Sequence, residues 1–173
     1  MERLGRLLRE LRPLAPLNWS PLENLHITTK FIGAWPEERL EELTRALAEM
    51  RAPAVFPVTI AGVSYLPNAR KPRMLFAGVQ AGPELATLAS QVEEALEPLG
   101  VAREQRAYTP HITLARIGDK PVHAVREHIA NMKNPEFGTF QVAEFHLYSS
   151  RPRTGGSGSV YEILTSFPLG SHS

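Results

Sequence analysis

The chain has 173 residues, of which 43% are hydrophobic, and this is enough apolar material to bury a core as one domain over residues 1–173. Its 19 basic and 18 acidic residues give a formal net charge of +1, which excludes a polycationic nucleic-acid coat. The absence of cysteine excludes disulfides, thiolate metal sites and cysteine nucleophiles. Because no apolar run is long enough for a membrane span and no signal peptide opens the sequence, we expect a cytoplasmic protein that does not bind membranes.

The first half of the chain is predicted to alternate helices with strands. Leucines at helical spacing predict an amphipathic helix, and a proline followed by glutamates is typical of a helix start. A run of β-branched and apolar residues that ends at a glycine predicts a strand. In chain order these elements are a helix over 2–12, a strand over 24–32, a helix over 36–50 and a strand over 54–65.

The second half of the chain repeats this alternation, and together the two halves predict the fold class. The predicted elements are a strand over 74–80, a helix over 83–97, a polar loop over 103–110, a strand from His111, a helix from Pro121, a strand over 137–149, a flexible basic loop over 150–158 and a strand over 159–167. This order predicts an α+β, bilobal protein. Its two similar antiparallel-sheet-plus-helix lobes are expected to be related by pseudo-two-fold symmetry around a central cleft.

One short stretch occurs twice in the sequence. Residues 26–33 read HITTKFIG and residues 111–118 read HITLARIG, so His, Ile, Thr, Ile and Gly recur at identical offsets. On a strand, alternate side chains share a face, so each copy presents a histidine beside a threonine: His26 with Thr28, and His111 with Thr113. A single His-x-Thr is usually a half-exposed histidine next to a solvated threonine. Its repetition on two predicted strands indicates a site.

Two histidines that face one cleft can carry out acid–base catalysis. Imidazoles ordinarily titrate at about pH 6.5, so one can be neutral and take a proton while the other is charged and gives one. The threonine hydroxyls can donate to anionic oxygens between them. This arrangement favours phosphoester hydrolysis or transfer with no cofactor and no metal. Competing motifs are weak, since the sequence has no HExxH and no phosphate-binding P-loop pattern.

The repeated motifs and their flanks resemble a known family. The matching stretches are ENLHITTKFIG, KPRMLFAGV, YTPHITLARIG and SSRPRTGGSGSVYEIL, and the resemblance extends from about Arg9 to Leu169. They are similar to the paired HxTx motifs of the two-histidine (2H) phosphoesterase superfamily, in particular its bacterial and archaeal RNA 2′,3′-cyclic phosphodiesterases, historically called 2′-5′ RNA ligases. Members usually carry a short apolar strand before the first helix, whereas the printed sequence begins inside that helix.

The resemblance implies a bilobal α+β fold and metal-independent opening of a 2′,3′-cyclic phosphate to a 2′-phosphate end. The implied partners are RNA ends or nucleotides that carry 2′,3′-cyclic phosphate. It also implies that His26 protonates the leaving oxygen and that His111 activates water. The residues alone leave these two roles open, because both motifs look alike.

Basic and aromatic residues near the motifs are the candidate substrate-binding residues. Lys30 is in the same alternation phase as His26 and is therefore a candidate to face the cleft, whereas Arg116 is out of phase with His111, which puts it on the opposite face by alternation alone. The other candidates lie in predicted loops: Arg73, Arg106, Tyr108 (which could stack on a base), and Arg151 with Arg153 on the Gly-rich loop. Taken singly, each arginine is equally well explained as a solubilising charge.

Three functions are compatible with these observations. The first is a cyclic phosphodiesterase that acts on RNA ends. The second is a related enzyme that acts on a nucleotide cyclic phosphate or a 2′-5′ linked oligonucleotide. The third is a non-catalytic RNA-end binder. A base-sized apolar pocket beside the histidines would favour nucleotide substrates, and in each case we expect a monomer.

Overall fold

The computed structural model describes residues 1–133, 135–155 and 158–170, and it confirms the α+β class. In the described residues the helices are α1 (Glu2–Leu11), α2 (Leu40–Ala48), α3 (Pro83–Leu96) and α4 (His123–Ala130). The strands are β1 (Asn18–Trp19), β2 (Phe56–Leu66), β3 (Met74–Ala81), β4 (His111–Arg116), β5 (Glu136–Val142), β6 (Glu144–Pro152) and β7 (Ser159–Pro168). All the predicted helices are present, with ends displaced by a few residues. The helix expected from Pro121, for example, begins at His123.

The strands form two antiparallel sheets that divide the molecule into two lobes. A five-stranded sheet has the order β1-β4-β3-β2-β5, and a two-stranded sheet consists of β6 and β7. Helix α1 lies against β5 and is joined to α4 by a contact of 3.0 Å between the Oε2 of Glu10 and the Nε2 of His128. Helices α2 and α3 pack together, and α2 contacts β7. One hydrophobic core joins the sheets and the helices, so the lobes share their interior.

A close approach of two strands at the centre of the five-stranded sheet requires a glycine. Gly78 of β3 pairs with His111 of β4 on one side. On the other side it faces an irregular part of β2, where a Cβ atom at position 78 would stand 2.5 Å from the carbonyl oxygen of Ala61. Glycine therefore lets β2 bulge toward β3, and this packing supports the strand that begins at His111.

The strand predicted over 24–32 is not formed, and this prediction was wrong. Residues 22–24 form a short 3-10 turn, and the segment that follows makes one isolated antiparallel bridge, between Ile27 and Ile112. The start of the segment is tied instead to the β6–β7 sheet, because the Nδ2 of Asn24 donates to the carbonyl of Ser159 at 3.0 Å. The first copy of the repeat is therefore an irregular segment at the edge of β4.

The strand predicted over 137–149 is two strands, and the described part of the loop predicted over 150–158 lies at the end of a hairpin. β5 pairs with β2, whereas β6 pairs with β7, so Ala143 marks the change from one sheet to the other. β6 continues through Pro152, and the N–H of Arg153 donates to the carbonyl of Gly158 across the turn. Residues 156 and 157 of the predicted loop lie outside the described residues. The basic stretch is thus largely held in a hairpin because β7 supplies its backbone partners.

Candidate active site

The bridge between Ile27 and Ile112 brings the two copies of the repeat side by side. In an antiparallel pair, continuing the register by one residue sets His26 opposite Thr113 and Thr28 opposite His111. Ile112 is buried, so these four side chains belong to the other face. Because the bridge joins equivalent positions of the repeat, the two copies are related by a local two-fold axis. Each histidine consequently stands across from the threonine of the other motif.

Each histidine is held by a hydrogen bond of the same kind, to the backbone carbonyl two residues before it. The Nδ1 of His26 lies 2.6 Å from the carbonyl oxygen of Asn24, and the Nδ1 of His111 lies 2.8 Å from the carbonyl oxygen of Thr109. A carbonyl only accepts, so the proton in each bond is on Nδ1. The bond fixes the ring orientation and leaves Nε2 of each imidazole for proton exchange with a substrate. This identical arrangement two residues upstream of each histidine is a feature that the sequence pattern did not reveal.

The threonines differ in their surroundings. The hydroxyl of Thr113 donates to the Sδ of Met74 at 3.4 Å, and a thioether is a weak acceptor. Thr28 is exposed. Both hydroxyls can therefore turn to a stronger acceptor, such as a phosphate oxygen, at little cost.

Arg116 lies on the same face as the histidine of its strand, which corrects the expectation from alternation. Thr113 pairs with Phe76 and Ala115 pairs with Leu75, so Leu114 is an extra residue in β4. Such a bulge shifts the alternation by one position. Met74 pairs with Arg116, and Met74 is on the Thr113 face because it accepts the Thr113 hydroxyl. The exposed guanidinium of Arg116 consequently projects from the face that carries His111.

Lys30 does not lie free in the cleft, which corrects the second expectation from alternation. Its Nζ is 2.8 Å from the Oε1 of Glu93 on α3 and donates to the carbonyl of Ala102 at 2.7 Å. Only 6% of the Lys30 side chain and 15% of the Glu93 side chain are exposed. This ammonium group therefore ties the first motif to the end of α3, and its charge is already neutralised.

Replacement of Lys30 by methionine is expected to lower the free energy of unfolding by about 3 kcal/mol, because it leaves the carboxylate of Glu93 buried without its partner. Denaturant titration measures this change. The exposed pair between Arg45 and Glu41 provides the control, since the Arg45→Gln variant should lose less than about 0.5 kcal/mol. Equal, small losses in both variants would show that the Lys30 pair does not stabilise the fold.

Tyr108 connects the loop before the second motif to the backbone of the first. Its hydroxyl donates to the carbonyl of Thr28 at 3.0 Å. Burial raises the pKa of Tyr108 to about 12, so the phenol stays neutral and keeps its proton for this bond. Tyr108 is therefore a brace between the motifs, and its stacking on a base stays a prediction.

The three remaining candidate arginines differ in how directly the structure connects them to the motifs. Arg73 is exposed at the start of β3, and its carbonyl accepts from the N–H of Ile117 just after the second motif. Arg106 is exposed in the loop before that motif. Arg151 is paired with Glu162 at 2.9 Å across the hairpin, so it is part of the sheet and does not lie on a loop that closes over RNA. Of these three, Arg73 is the best connected to the strand of His111.

An aromatic pocket beside His26 was missed by the sequence analysis. The ring of His26 lies 5.7 Å from that of Tyr148 and 5.0 Å from that of Tyr161. Tyr148 pairs with Ile163 and Ser150 pairs with Tyr161, so both tyrosines project from one face of the hairpin. They enclose a pocket of about 300 Å³ whose other lining residues are Glu23, Asn24, Leu25 and Ile163. Its size and aromatic walls suit a nucleobase.

The electrostatics of the pocket wall come from the neighbouring end of the hairpin. Burial, together with the nearby Glu144 carboxylate, raises the pKa of Tyr148 and keeps its hydroxyl neutral. His146 contacts the Tyr148 ring edge-on at 5.7 Å and is itself held by Ser166 at 2.8 Å. The wall opposite His26 is thus fixed by side chains on β6 and β7.

The structure also bears on metal binding and on membrane-spanning helices. Within residues 1–133, 135–155 and 158–170, no three His, Cys, Asp or Glu side chains are grouped so that they could hold a metal ion. Over the same residues, no helix combines the length and apolar character needed to span a bilayer.

Comparison with known proteins finds a family model that covers most of the chain. Residues 2–153 match the model described as the 2′-5′ RNA ligase superfamily. A protein from Archaeoglobus fulgidus named RNA 2′,3′-cyclic phosphodiesterase is 32% identical over 168 residues, which are 96% of this chain and 92% of the relative. A Thermus thermophilus protein of the same name is 33% identical over 172 residues, which are 94% and 81% of the two chains.

Solved structures have the same fold. A crystal structure of a Thermus thermophilus protein superposes with a TM-score of 0.78 and 28% identity, and the match covers 98% of this chain and 91% of that one. Escherichia coli LigT complexed with 3′-AMP superposes with a TM-score of 0.77 and 24% identity over 97% and 90% of the two chains. At this identity the LigT likeness shows the fold alone.

Proposed function

We propose, since the chain belongs to the 2′-5′ RNA ligase superfamily and is a phosphodiesterase of the two-histidine type, that it hydrolyses the 2′,3′-cyclic phosphate ends of RNA to 2′-phosphates without a metal. The observation that carries the proposal is the matched pair of histidines. Each is oriented through Nδ1, and a backbone bridge between Ile27 and Ile112 joins the two motifs at the residue next to each histidine. Acid and base are thereby available on both sides of one phosphorus atom.

His26 is assigned as the acid. Opening a cyclic phosphate to a 2′-phosphate breaks the bond between phosphorus and the ribose O3′, so the acid must lie on the nucleoside side. The nucleobase-sized pocket adjoins His26, with Tyr148 and Tyr161 as its walls, and this supports the assignment. The Nε2–H of the charged imidazole gives its proton to O3′ as the bond breaks, which leaves a 3′-hydroxyl.

His111 is assigned as the base. Its neutral Nε2 takes a proton from water while the water oxygen forms the new bond to phosphorus. The hydroxyls of Thr28 and Thr113 donate to the non-bridging oxygens, on which negative charge accumulates. Arg116 shares this face and offers a further cation to the phosphate.

The pocket also favours a second candidate substrate. A volume of about 300 Å³ holds one base, and nothing in it requires a longer chain. Nucleotide cyclic phosphates are therefore the alternative substrates, and they use the same histidines.

Turnover of a nucleoside 2′,3′-cyclic phosphate is expected to persist in excess EDTA, because proton transfer by imidazoles needs no metal. Phosphorus NMR of the product should show a nucleoside 2′-phosphate. Loss of turnover in EDTA that a divalent ion restores would contradict the metal-free mechanism. Binding of the cyclic phosphate without any turnover would favour the non-catalytic binder, and a 3′-phosphate product would exclude the proposed direction of opening.

A further inference from the structure

A second pocket lies near the one that contains His26. It has a volume of about 270 Å³ and is bounded by the segment around β1 and by the end of the β6–β7 hairpin. Its lining includes Leu17, Asn18, Trp19, Pro21, Arg153 and Ser159. Like the first pocket, it lies between the chain that leads into the first motif and the hairpin.

A hydrogen bond joins a lining residue of the first pocket to a lining residue of the second. The Nδ2 of Asn24 in the first pocket donates to the carbonyl of Ser159 in the second. Ser159 and Tyr161, which belong to different pockets, are two residues apart on β7, or about 7 Å along a strand. This is the order of the separation between successive phosphates in an extended single strand. Lining residues of the two pockets are thus separated by a distance on the scale of neighbouring nucleotides.

The second pocket is polar at its mouth. The guanidinium of Arg153 is exposed, and neither a hydrogen bond nor an ion pair joins it to another residue of the described ranges. Arg151 on the same hairpin is different, since its charge is neutralised by Glu162. The side chain of Asn18 reaches the hairpin turn, where its Oδ1 would lie 3.7 Å from a Cβ on Gly158. An anion in this pocket would therefore meet an uncompensated cation beside an amide group.

Asn18 also relates the second pocket to the catalytic face. It pairs with Arg116 in the sheet, and paired residues of an antiparallel ladder project to the same side. Because Arg116 is on the face of His111, the pocket at Asn18 opens toward the same side of the sheet as the histidines. A chain of nucleotides can pass from one pocket to the other without crossing the sheet.

We propose that the second pocket is a subsite for the nucleotide that precedes the cyclic-phosphate terminus. Arg153 binds the phosphodiester that links the last two nucleotides, and Asn18 and the edge of Trp19 contact the penultimate nucleoside. This inference rests on the proposed function, because it extends the substrate from a nucleoside cyclic phosphate to the end of an RNA chain. It makes the enzyme select oligonucleotides over mononucleotides.

The test compares two substrates that share a terminal nucleoside. One is a nucleoside 2′,3′-cyclic phosphate and the other is a dinucleotide that ends in the same cyclic phosphate. The Arg153→Gln variant should lower kcat/KM for the dinucleotide about tenfold, as expected for one charge-assisted hydrogen bond, and leave kcat/KM for the mononucleotide unchanged. The Arg153→Lys variant should retain most of the preference. The Arg45→Gln variant, which removes an equal charge from the exposed surface of α2, should change neither value.

Two kinetic results would overturn the subsite. Equal losses on both substrates would mean that Arg153 supports the fold or the first pocket, and unchanged values on both would mean that the phosphodiester does not bind there. If the wild type hydrolyses neither substrate, the proposed function fails, and the subsite is decided by binding. In a Trp35→Phe background, where Trp19 is the remaining indole, a dinucleoside monophosphate should quench fluorescence, and Arg153→Gln should weaken its binding about tenfold. Absence of quenching would refute the subsite.

Discussion

Replacement of either His26 or His111 by alanine is expected to reduce turnover of a nucleoside 2′,3′-cyclic phosphate by at least about 10². The two losses have different causes. Without His26 the departing O3′ leaves unprotonated, and without His111 the attacking water keeps its proton. Steady-state assays of the two variants, with circular dichroism to show that each is folded, measure the effect. Near-normal turnover in either folded variant would refute the paired mechanism.

The double variant is expected to be little worse than the worse single variant. Both groups act on one transition state, and contributions of that kind are not additive. If the losses of the single variants multiplied in the double variant, the histidines would act in separate steps.

The wild-type rate is expected to be bell-shaped in pH. One imidazole must be charged and the other neutral, so activity falls on the acid side when the base is protonated and on the alkaline side when the acid is deprotonated. In the His111→Ala variant the fall in rate on the acid side should disappear, and in the His26→Ala variant the fall on the alkaline side should disappear. A rate that rises with pH to a plateau in the wild type would argue that no histidine acts as an acid.

An aryl phosphodiester of the same nucleoside separates the two assignments. Its leaving group departs without a proton, so the His26→Ala variant should lose much less on this substrate than on the cyclic phosphate. The His111→Ala variant should lose equally on both, since water must still be activated. The reverse pattern would exchange the roles of the histidines.

The parts of the fold that depend on local sequence were predictable. The four helices follow the spacing of apolar residues and the positions of prolines, and β3 and β4 follow runs of β-branched and apolar residues. The failures concern long-range pairing. Whether residues 24–32 form a strand depends on a neighbour, and the pairing they make is a single bridge to Ile112. The division of 137–149 at Ala143 likewise depends on β2 and β7 as partners.

In the candidate site, too, the residues brought together by long-range pairing could not be predicted. His26, His111 and their threonines could be selected because a repeat is visible in one dimension, although their catalytic roles stay predictions. Tyr148 and Tyr161 could not be selected in this way, since they contact His26 only after β6 and β7 pair. Period-two alternation also misplaced Arg116, because the bulge at Leu114 arises from the register with β3 and has no local signature.

Lys30 illustrates a different failure. Alternation placed it on the face of His26, but its ammonium group lies against Glu93, which is 63 positions away in sequence (93 minus 30). A carboxylate buried without a partner is costly, and Lys30 supplies that partner to Glu93. A cation close to a motif is thus as much a candidate for a structural ion pair as for a substrate ligand.

Substitution of the threonines by valine is expected to give the second largest loss, about 10² in kcat for Thr113→Val and a similar loss for Thr28→Val. Valine keeps the shape and removes the hydroxyl. The Thr113 hydroxyl donates to the thioether of Met74, which is a weak acceptor, so its removal should change the free energy of unfolding little. The loss should therefore appear in catalysis, because the hydroxyl is needed when charge develops on the phosphate oxygens.

The pH dependence distinguishes this role from proton transfer. Threonine does not titrate in the relevant range. The bell-shaped plot of rate against pH of a Thr→Val variant should therefore have a lower maximum at an unchanged pH. The Thr113→Ser variant keeps the hydroxyl and should recover most of the activity, which makes it the matched control. A displaced bell would mean that the threonines act by altering the histidines across the bridge. An equal loss in Thr113→Ser and Thr113→Val would mean that the methyl group, and not the donated hydrogen bond, is what the site requires.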